Sequence, residues 1–174
     1  VSKLSRNKFF GVKNEVTQNT FISVTNADYI TIQDATFKIG KNMVDRDYKR
    51  GALDSLSSVV AQRWAEIEVT TELRNSSSFG FPELESLFTA CGTATSMSNS
   101  TQSLNPISVA QTGFFSAATS STIHFYEDGL KYVAGGVVGN CKGTLEAGKV
   151  AMVTFSLKGL FSGSVEDSTN PTPT

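Results

Sequence analysis

The sequence predicts a mainly β protein, an antiparallel β-sandwich or barrel with one flanking α-helix. Several segments alternate apolar and polar side chains with a period of two, which is typical of half-buried strands. Only one segment, at about Pro82–Cys91, has the apolar spacing of an amphipathic helix. Strands and helices do not alternate along the chain, so a parallel α/β sheet is disfavoured.

The clearest strand lies at Trp64–Leu73. Its odd-numbered positions are apolar or small, and its even-numbered positions include Glu66, Glu68 and Glu72. Residues two apart share one face of a strand, so this strand has a core face and an acidic face. Shorter alternating segments predict further strands at Phe9–Val12, Tyr29–Ile32, Ala35–Ile39, Thr122–Tyr126, Leu130–Ala134, Val137–Leu145 and Val150–Phe161.

The helix is predicted from its ends as well as its periodicity. Pro82 occupies a first-turn position, and acidic residues follow it near the positive end of the helix dipole. Apolar residues recur at i, i+3, i+4 and i+7 from Leu84 to Cys91, and Gly92 can end the helix in a left-handed conformation.

The remaining segments are polar and weakly periodic. Residues 1–28 are predicted to form an N-terminal arm, residues 29–161 the β domain and residues 162–174 a flexible tail. Residues 45–61 are predicted to form a long loop, because they are too polar for a core strand and too numerous for a simple hairpin turn. The Ser- and Asn-rich stretch Thr93–Gln111 is predicted to be a second loop.

The composition disfavours several classes of protein. The chain has 174 residues and a net charge of −1, from 15 basic and 16 acidic residues. Near-neutral charge disfavours a sequence-reading nucleic-acid binder and electrostatic docking on a membrane. No apolar run approaches the ~18 residues that cross a bilayer, and no apolar segment follows the basic N-terminus as in a signal peptide. A protein made and kept in a cytosol is therefore expected.

No catalytic, metal-binding or cofactor-binding pattern is found. Cys91 and Cys141 are far apart and lack CxxC spacing, so we interpret them as reduced, half-buried residues, although sequence alone leaves a disulfide open. His124, the single histidine, is interpreted as structural. The acidic face of Trp64–Leu73 is interpreted as a solvated strand face and not as a pair of catalytic carboxylates. The sequence therefore predicts neither an enzyme nor a cofactor.

Four landmarks follow one another in a recognisable order. They are Asp45-Arg46-Asp47 with Lys49-Arg50, the strand Ala65–Val69, the helix Pro82–Gly92, and a closing run with FYEDG, GTLEAG and VTFSLKGL. In this order and spacing, from about Lys3 to Phe161, the chain resembles the major tail tube proteins of long-tailed bacteriophages. It departs from the family pattern at Val16–Thr20 in the arm and in the Ser/Asn-rich stretch Thr93–Gln111.

The resemblance implies a structural virion protein. In this family, subunits form hexameric rings whose sheets join around a lumen, and the rings stack into the tube through which phage DNA passes. The implied partners are further copies of the chain, a tape-measure protein, a tail terminator, distal tail or baseplate proteins and, in some tails, a sheath. DNA passes without sequence-specific binding, and the implied location is the virion tail after assembly in the bacterial cytoplasm.

Two sets of functional residues follow as hypotheses. Glu66, Glu68 and Glu72 are predicted to line the lumen, because acidic side chains repel phosphates and let DNA slide. The open alternative is that these residues face outward solvent or a neighbouring subunit. Contacts between subunits or rings are expected in the mixed-charge loop. These candidates are Asp45, Arg46, Asp47, Tyr48, Lys49, Arg50, Leu53 and Asp54.

Two other functions remain open at this point. The inner tube of a tailocin, gene transfer agent or secretion system would share the same fold. A carbohydrate-binding β-sandwich is less favoured, because it would be expected to expose several aromatic side chains on one sheet face, and the chain has a single tryptophan.

Overall fold

The computed structural model describes residues 7–46, 56–73, 84–98, 101–106 and 120–172. Within these ranges the chain forms nine strands, one α-helix and a short 3-10 helix at Asn26–Asp28. The elements are β1 Lys8–Asn14, β2 Tyr29–Ile30, β3 Asp34–Arg46, β4 Leu56–Glu72, α1 Glu85–Ala90, β5 Thr93–Ser98, β6 Thr101–Pro106, β7 Ser121–Glu127, β8 Leu130–Thr144 and β9 Met152–Asp167. The predicted mainly β fold class with one short helix is confirmed.

Seven strands form one antiparallel sheet in the order β2-β1-β7-β8-β9-β4-β3, and β5 pairs with β6 in a separate hairpin. Four neighbouring strands are long, with 13 residues in β3, 17 in β4, 15 in β8 and 16 in β9. These four strands build one broad half of the sheet, which is much longer than the half formed by β1, β2 and β7.

The sheet curls until its two ends approach each other. The Lys8 ammonium on β1 donates to the carbonyl of Ala35 on β3 at 2.8 Å and forms a salt bridge with Asp34 at 3.2 Å. The Phe37 ring of β3 stacks on Phe125 of β7 with 6.0 Å between centroids, although three strands separate β3 from β7 in the sheet order. The predicted sandwich or barrel is thus one curved sheet whose ends meet through side chains.

The hydrophobic core lies inside this curve and is covered by α1. Its buried side chains come from all seven strands of the large sheet and from the helix segment. The Phe88 ring of α1 packs edge-on against Phe155 of β9, with 5.3 Å between centroids. On β4, Ala65, Ile67 and Val69 are buried as the alternation predicts. Burial of this apolar surface supplies the main driving force for the fold.

Three predicted loop or tail segments are wrong in part. The loop predicted at 45–61 overlaps two strands, because β3 continues to Arg46 and β4 begins at Leu56; residues 47–55 lie outside the described residues. Thr93–Gln111 contains the β5–β6 hairpin instead of a continuous loop. The tail predicted from residue 162 is strand as far as Asp167, where β9 still pairs with β8. Polar composition is misleading here, since a backbone ladder needs no apolar face.

The helix and the N-terminal strand also differ from their predicted bounds. The helix is Glu85–Ala90, and Pro82 lies outside the described residues. Gly92 has a φ of +77°, so the predicted left-handed stop is confirmed. The strand predicted at Phe9–Val12 is confirmed as part of β1. However, β1 is not part of an arm, because it lies inside the sheet between β2 and β7.

Candidate functional site

The surface of the long half-sheet that faces away from the core is polar. We call it the outer face, and it comprises Asp34, Thr36, Lys38, Gly40, Trp64, Glu66, Glu68, Thr70, Glu72, Val138, Asn140, Lys142, Thr144, Met152, Thr154, Ser156, Lys158 and Leu160. The predicted residues Glu66, Glu68 and Glu72 all project from it and are exposed. The structure therefore brings the three carboxylates together on one open surface, as the alternation along β4 predicts.

A row of alternating charges crosses three strands of the outer face. The register places Glu66 of β4 between Lys38 of β3 and Lys158 of β9. The Lys158 ammonium lies 3.3 Å from the Glu66 carboxylate, and the Trp64 indole N–H donates to the same oxygen at 3.0 Å. Both hydrogen bonds lower the pKa of Glu66, and the one from Trp64 has the larger effect. Glu66 is thereby held in its ionised form between two lysines.

The position of the Trp64 ring depends on a glycine on the neighbouring strand. A Cβ atom at Gly40 would lie 2.2 Å from the indole, so a side chain there would displace the ring. The Lys158 ammonium lies 5.1 Å from the centre of the same ring, within the range of a cation–π contact. Sequence reasoning missed this arrangement, because Gly40, Trp64 and Lys158 become neighbours only through the strand register.

The outer face is nearly neutral. It carries the carboxylates of Asp34, Glu66, Glu68 and Glu72 against three lysines, which leaves a net charge of −1. Within the described part of the chain, Glu68 and Glu72 form no salt bridge. The acidic strand seen in the sequence is therefore balanced by lysines that its neighbours contribute.

Two of the predicted contact residues lie within the described residues. Asp45 and Arg46 are exposed at the end of β3, and the Arg46 guanidinium donates to the carbonyl of Ser57 at 3.1 and 3.2 Å. The other candidates, Asp47, Tyr48, Lys49, Arg50, Leu53 and Asp54, lie outside the described residues. The same β3–β4 hairpin also exposes three apolar side chains, Met43, Val44 and Val59, which are 46%, 49% and 43% exposed.

A buried carboxylate forms a second polar centre that sequence reasoning missed. Glu15 is only 2% exposed. One of its oxygens accepts the Thr122 hydroxyl at 2.8 Å and the Gly136 N–H at 2.7 Å. The other accepts the Asn19 N–H at 2.8 Å and the Ser120 hydroxyl at 2.7 Å. Glu15 thus fastens the segment after β1 to both β7 and β8.

The described residues hold no group of three or more His, Cys, Asp or Glu side chains that could bind a metal ion. His124 is buried in β7, and this burial, together with the nearby Lys131, lowers its pKa to about 4. The imidazole is therefore uncharged at neutral pH, in keeping with a structural role. None of the helices that the structure describes is long and apolar enough to cross a membrane.

No protein-family model matches the chain, and no curated protein matches its sequence. Among solved structures, the chain is similar to one in the virion of a native gene transfer agent particle, with a TM-score of 0.49, 6% identity and coverage of 97% of this chain and 100% of that chain.

Two further solved structures are similar to the same extent. One is a chain of the PVC sheath-tube complex of an extracellular contractile injection system, with a TM-score of 0.49, 9% identity and coverage of 95% and 90%. The other is a chain of the anti-feeding prophage baseplate, with a TM-score of 0.48, 10% identity and coverage of 95% of each chain. At such identities and TM-scores, these similarities carry no functional argument.

Proposed function

We propose that this protein is a non-enzymatic subunit that assembles into stacked hexameric rings and forms the tail tube of a long-tailed bacteriophage. The observation that carries the proposal is the broad, exposed and nearly neutral outer face, which adjoins an edge strand. The order of the sequence landmarks from about Lys3 to Phe161 supports the same function.

The edge strand favours self-association. β3 has 13 residues and, among the described strands, pairs only with β4. A long unpaired edge leaves a row of backbone N–H and C=O groups that can pair with another chain. In a closed ring, each copy satisfies the edge of its neighbour, which removes the exposed edge without open-ended aggregation.

The outer face suits a surface past which DNA slides. A basic lining would hold phosphates through the release of counterions. On the outer face, Lys38 and Lys158 flank the carboxylate of Glu66, while Glu68 and Glu72 add negative charge. In the proposed ring this face lines the lumen, and α1 lies on the opposite side of the sheet.

The far end of the β3–β4 hairpin suits contacts between copies. It carries Asp45 and Arg46 next to the exposed apolar residues Met43, Val44 and Val59. Exposed apolar side chains with a charged rim are typical of protein–protein interfaces. We therefore propose that residues 45–61 contact neighbouring subunits or the next ring.

Negative-stain electron microscopy of the purified protein tests the proposal directly. Rings with a hollow centre, or filaments with a central bore, are expected as the protein concentration is raised. A protein that stays monomeric at its highest soluble concentration and binds a small ligand in a closed cleft would contradict the proposal.

Reversing the charge of the outer face is expected to trap DNA inside the tube. The triple variant Glu66→Lys, Glu68→Lys, Glu72→Lys places excess lysines on every subunit, and each additional phosphate contact steepens the dependence of DNA binding on salt. Tubes assembled from this variant with short duplex DNA should bind it at least ~100-fold more tightly at low salt than wild-type tubes. The bound DNA should be protected from nuclease.

The triple glutamine variant at the same positions is the matched control. It removes three negative charges without adding positive ones, so its tubes should retain far less DNA than the lysine variant. If DNA binds to tubes of the lysine variant but is still digested by nuclease, the outer face lies on the outside of the tube and the lumen assignment is refuted.

The structure is compatible with one of the two alternative functions and disfavours the other. The inner tube of a tailocin, gene transfer agent or secretion system would use the same subunit geometry. The carbohydrate-binding alternative is disfavoured, because Trp64 is the only aromatic residue among the described residues of the outer face.

A further inference from the structure

The two cysteines are distant in sequence and lie together in the fold. Cys91 directly follows α1, and Cys141 lies on β8 opposite Phe155 of β9. The Phe88 ring of the same helix packs on Phe155 at 5.3 Å. The end of α1 therefore lies over the part of β8 that carries Cys141.

The two thiols are neighbours but differ in their surroundings. Cys91 is half-buried against the hydrophobic core, whereas Cys141 is exposed, and both are free thiols. Burial, together with the thiol of Cys141, raises the pKa of Cys91 to about 12. Cys141 is therefore the thiol that a dissolved oxidant reaches, and Cys91 is shielded beside it.

The geometry points to a disulfide-forming site in which Cys91 and Cys141 become cross-linked when the protein meets a small disulfide oxidant such as oxidised glutathione. The bond would join the end of α1 to β8. This inference goes beyond the proposed function and does not depend on it.

The reaction has two exchange steps. The Cys141 thiolate attacks one sulfur of oxidised glutathione, which forms a mixed disulfide and expels one glutathione thiolate. Cys91 then loses its proton to solvent, and its thiolate attacks the Cys141 sulfur and expels the second glutathione. The two protein thiols lose two electrons in total, and the oxidant is reduced to two molecules of glutathione.

The cross-link should stabilise the subunit. It would close a loop of about 50 residues that includes the β5–β6 hairpin and β7, and thereby reduce the entropy of the unfolded chain. The oxidised protein is expected to melt about 5–10 °C above the reduced protein, since strain in the native state offsets part of the entropic gain.

Intact-mass spectrometry of the full chain tests the inference. After incubation with oxidised glutathione, the wild-type monomer should lose the mass of two hydrogens and both titratable thiols. Peptide mapping should recover the peptides of Cys91 and Cys141 linked to each other. Dithiothreitol should restore the original mass and the lower melting temperature.

Single serine variants identify the order of the steps. Cys91→Ser should stop at one glutathione adduct on Cys141, because the second thiol is missing. Cys141→Ser should react much more slowly, because only the shielded thiol remains. A wild-type protein that stops at the single adduct, or that forms only disulfide-linked dimers through Cys141, would overturn the inference.

Discussion

Replacing Glu15 with glutamine is expected to lower the free energy of unfolding by about 3–5 kcal/mol. The carboxylate accepts four hydrogen bonds, and each of its oxygens receives one backbone N–H, from Gly136 or from Asn19. An amide has the same shape, but its NH2 group would face two donors. Two charge-assisted hydrogen bonds would be lost, at about 1.5–3 kcal/mol each, and a buried N–H would be left without an acceptor.

Urea unfolding measures this change. The midpoint should fall while the slope with denaturant stays the same, because the surface exposed on unfolding is unchanged. Glu68→Gln is the matched control: it makes the same chemical change on an exposed side chain without a salt bridge, and its effect should stay within about 0.5 kcal/mol. A Glu15→Gln variant as stable as the Glu68→Gln control would show that the buried carboxylate does not hold the N-terminal segment in place.

The importance of Glu15 could not be predicted from the sequence. Its local context is polar, and three of its four donors belong to residues more than 100 positions away, at Ser120, Thr122 and Gly136. The same applies to β1, whose neighbours in the sheet are β2 and the distant β7. Short polar segments carry too little periodicity to reveal partners that only the tertiary fold supplies.

The outer face shows where prediction succeeds and where it stops. The acidic face of β4 follows from the period of two, because side chains on alternate positions must point in the same direction. The lysines that flank Glu66 come from β3 and β9, and only the register of both ladders places Lys38 and Lys158 beside it. A one-residue shift would move them to the other face of the sheet. The charge pattern along one strand can thus be predicted from the sequence, whereas the charge pattern across neighbouring strands cannot.

Replacing Ile39 with proline is expected to abolish tube assembly while leaving the subunit folded. The Ala35 N–H binds the side chain of Asp34, and the Ala35 carbonyl accepts the Lys8 ammonium, so both groups point away from β4. Backbone groups in an antiparallel pair alternate in direction, which directs the N–H of Ile39 away from β4 as well. Proline at this position removes an edge donor without breaking the β3–β4 ladder.

The variant separates edge pairing from folding. Ile39 is 43% exposed, so little core packing is lost, and circular dichroism and urea unfolding should resemble wild type within about 1 kcal/mol. Electron microscopy should then show at least a ~10-fold loss of tubes, because a missing donor and the proline ring both obstruct a strand that approaches β3. Ile39→Val keeps the N–H and should assemble normally, whereas Lys38→Pro removes a donor that faces β4 and should unfold the hairpin. Normal tubes from a folded Ile39→Pro subunit would mean that copies join through another surface, since no strand could then be pairing along this part of β3.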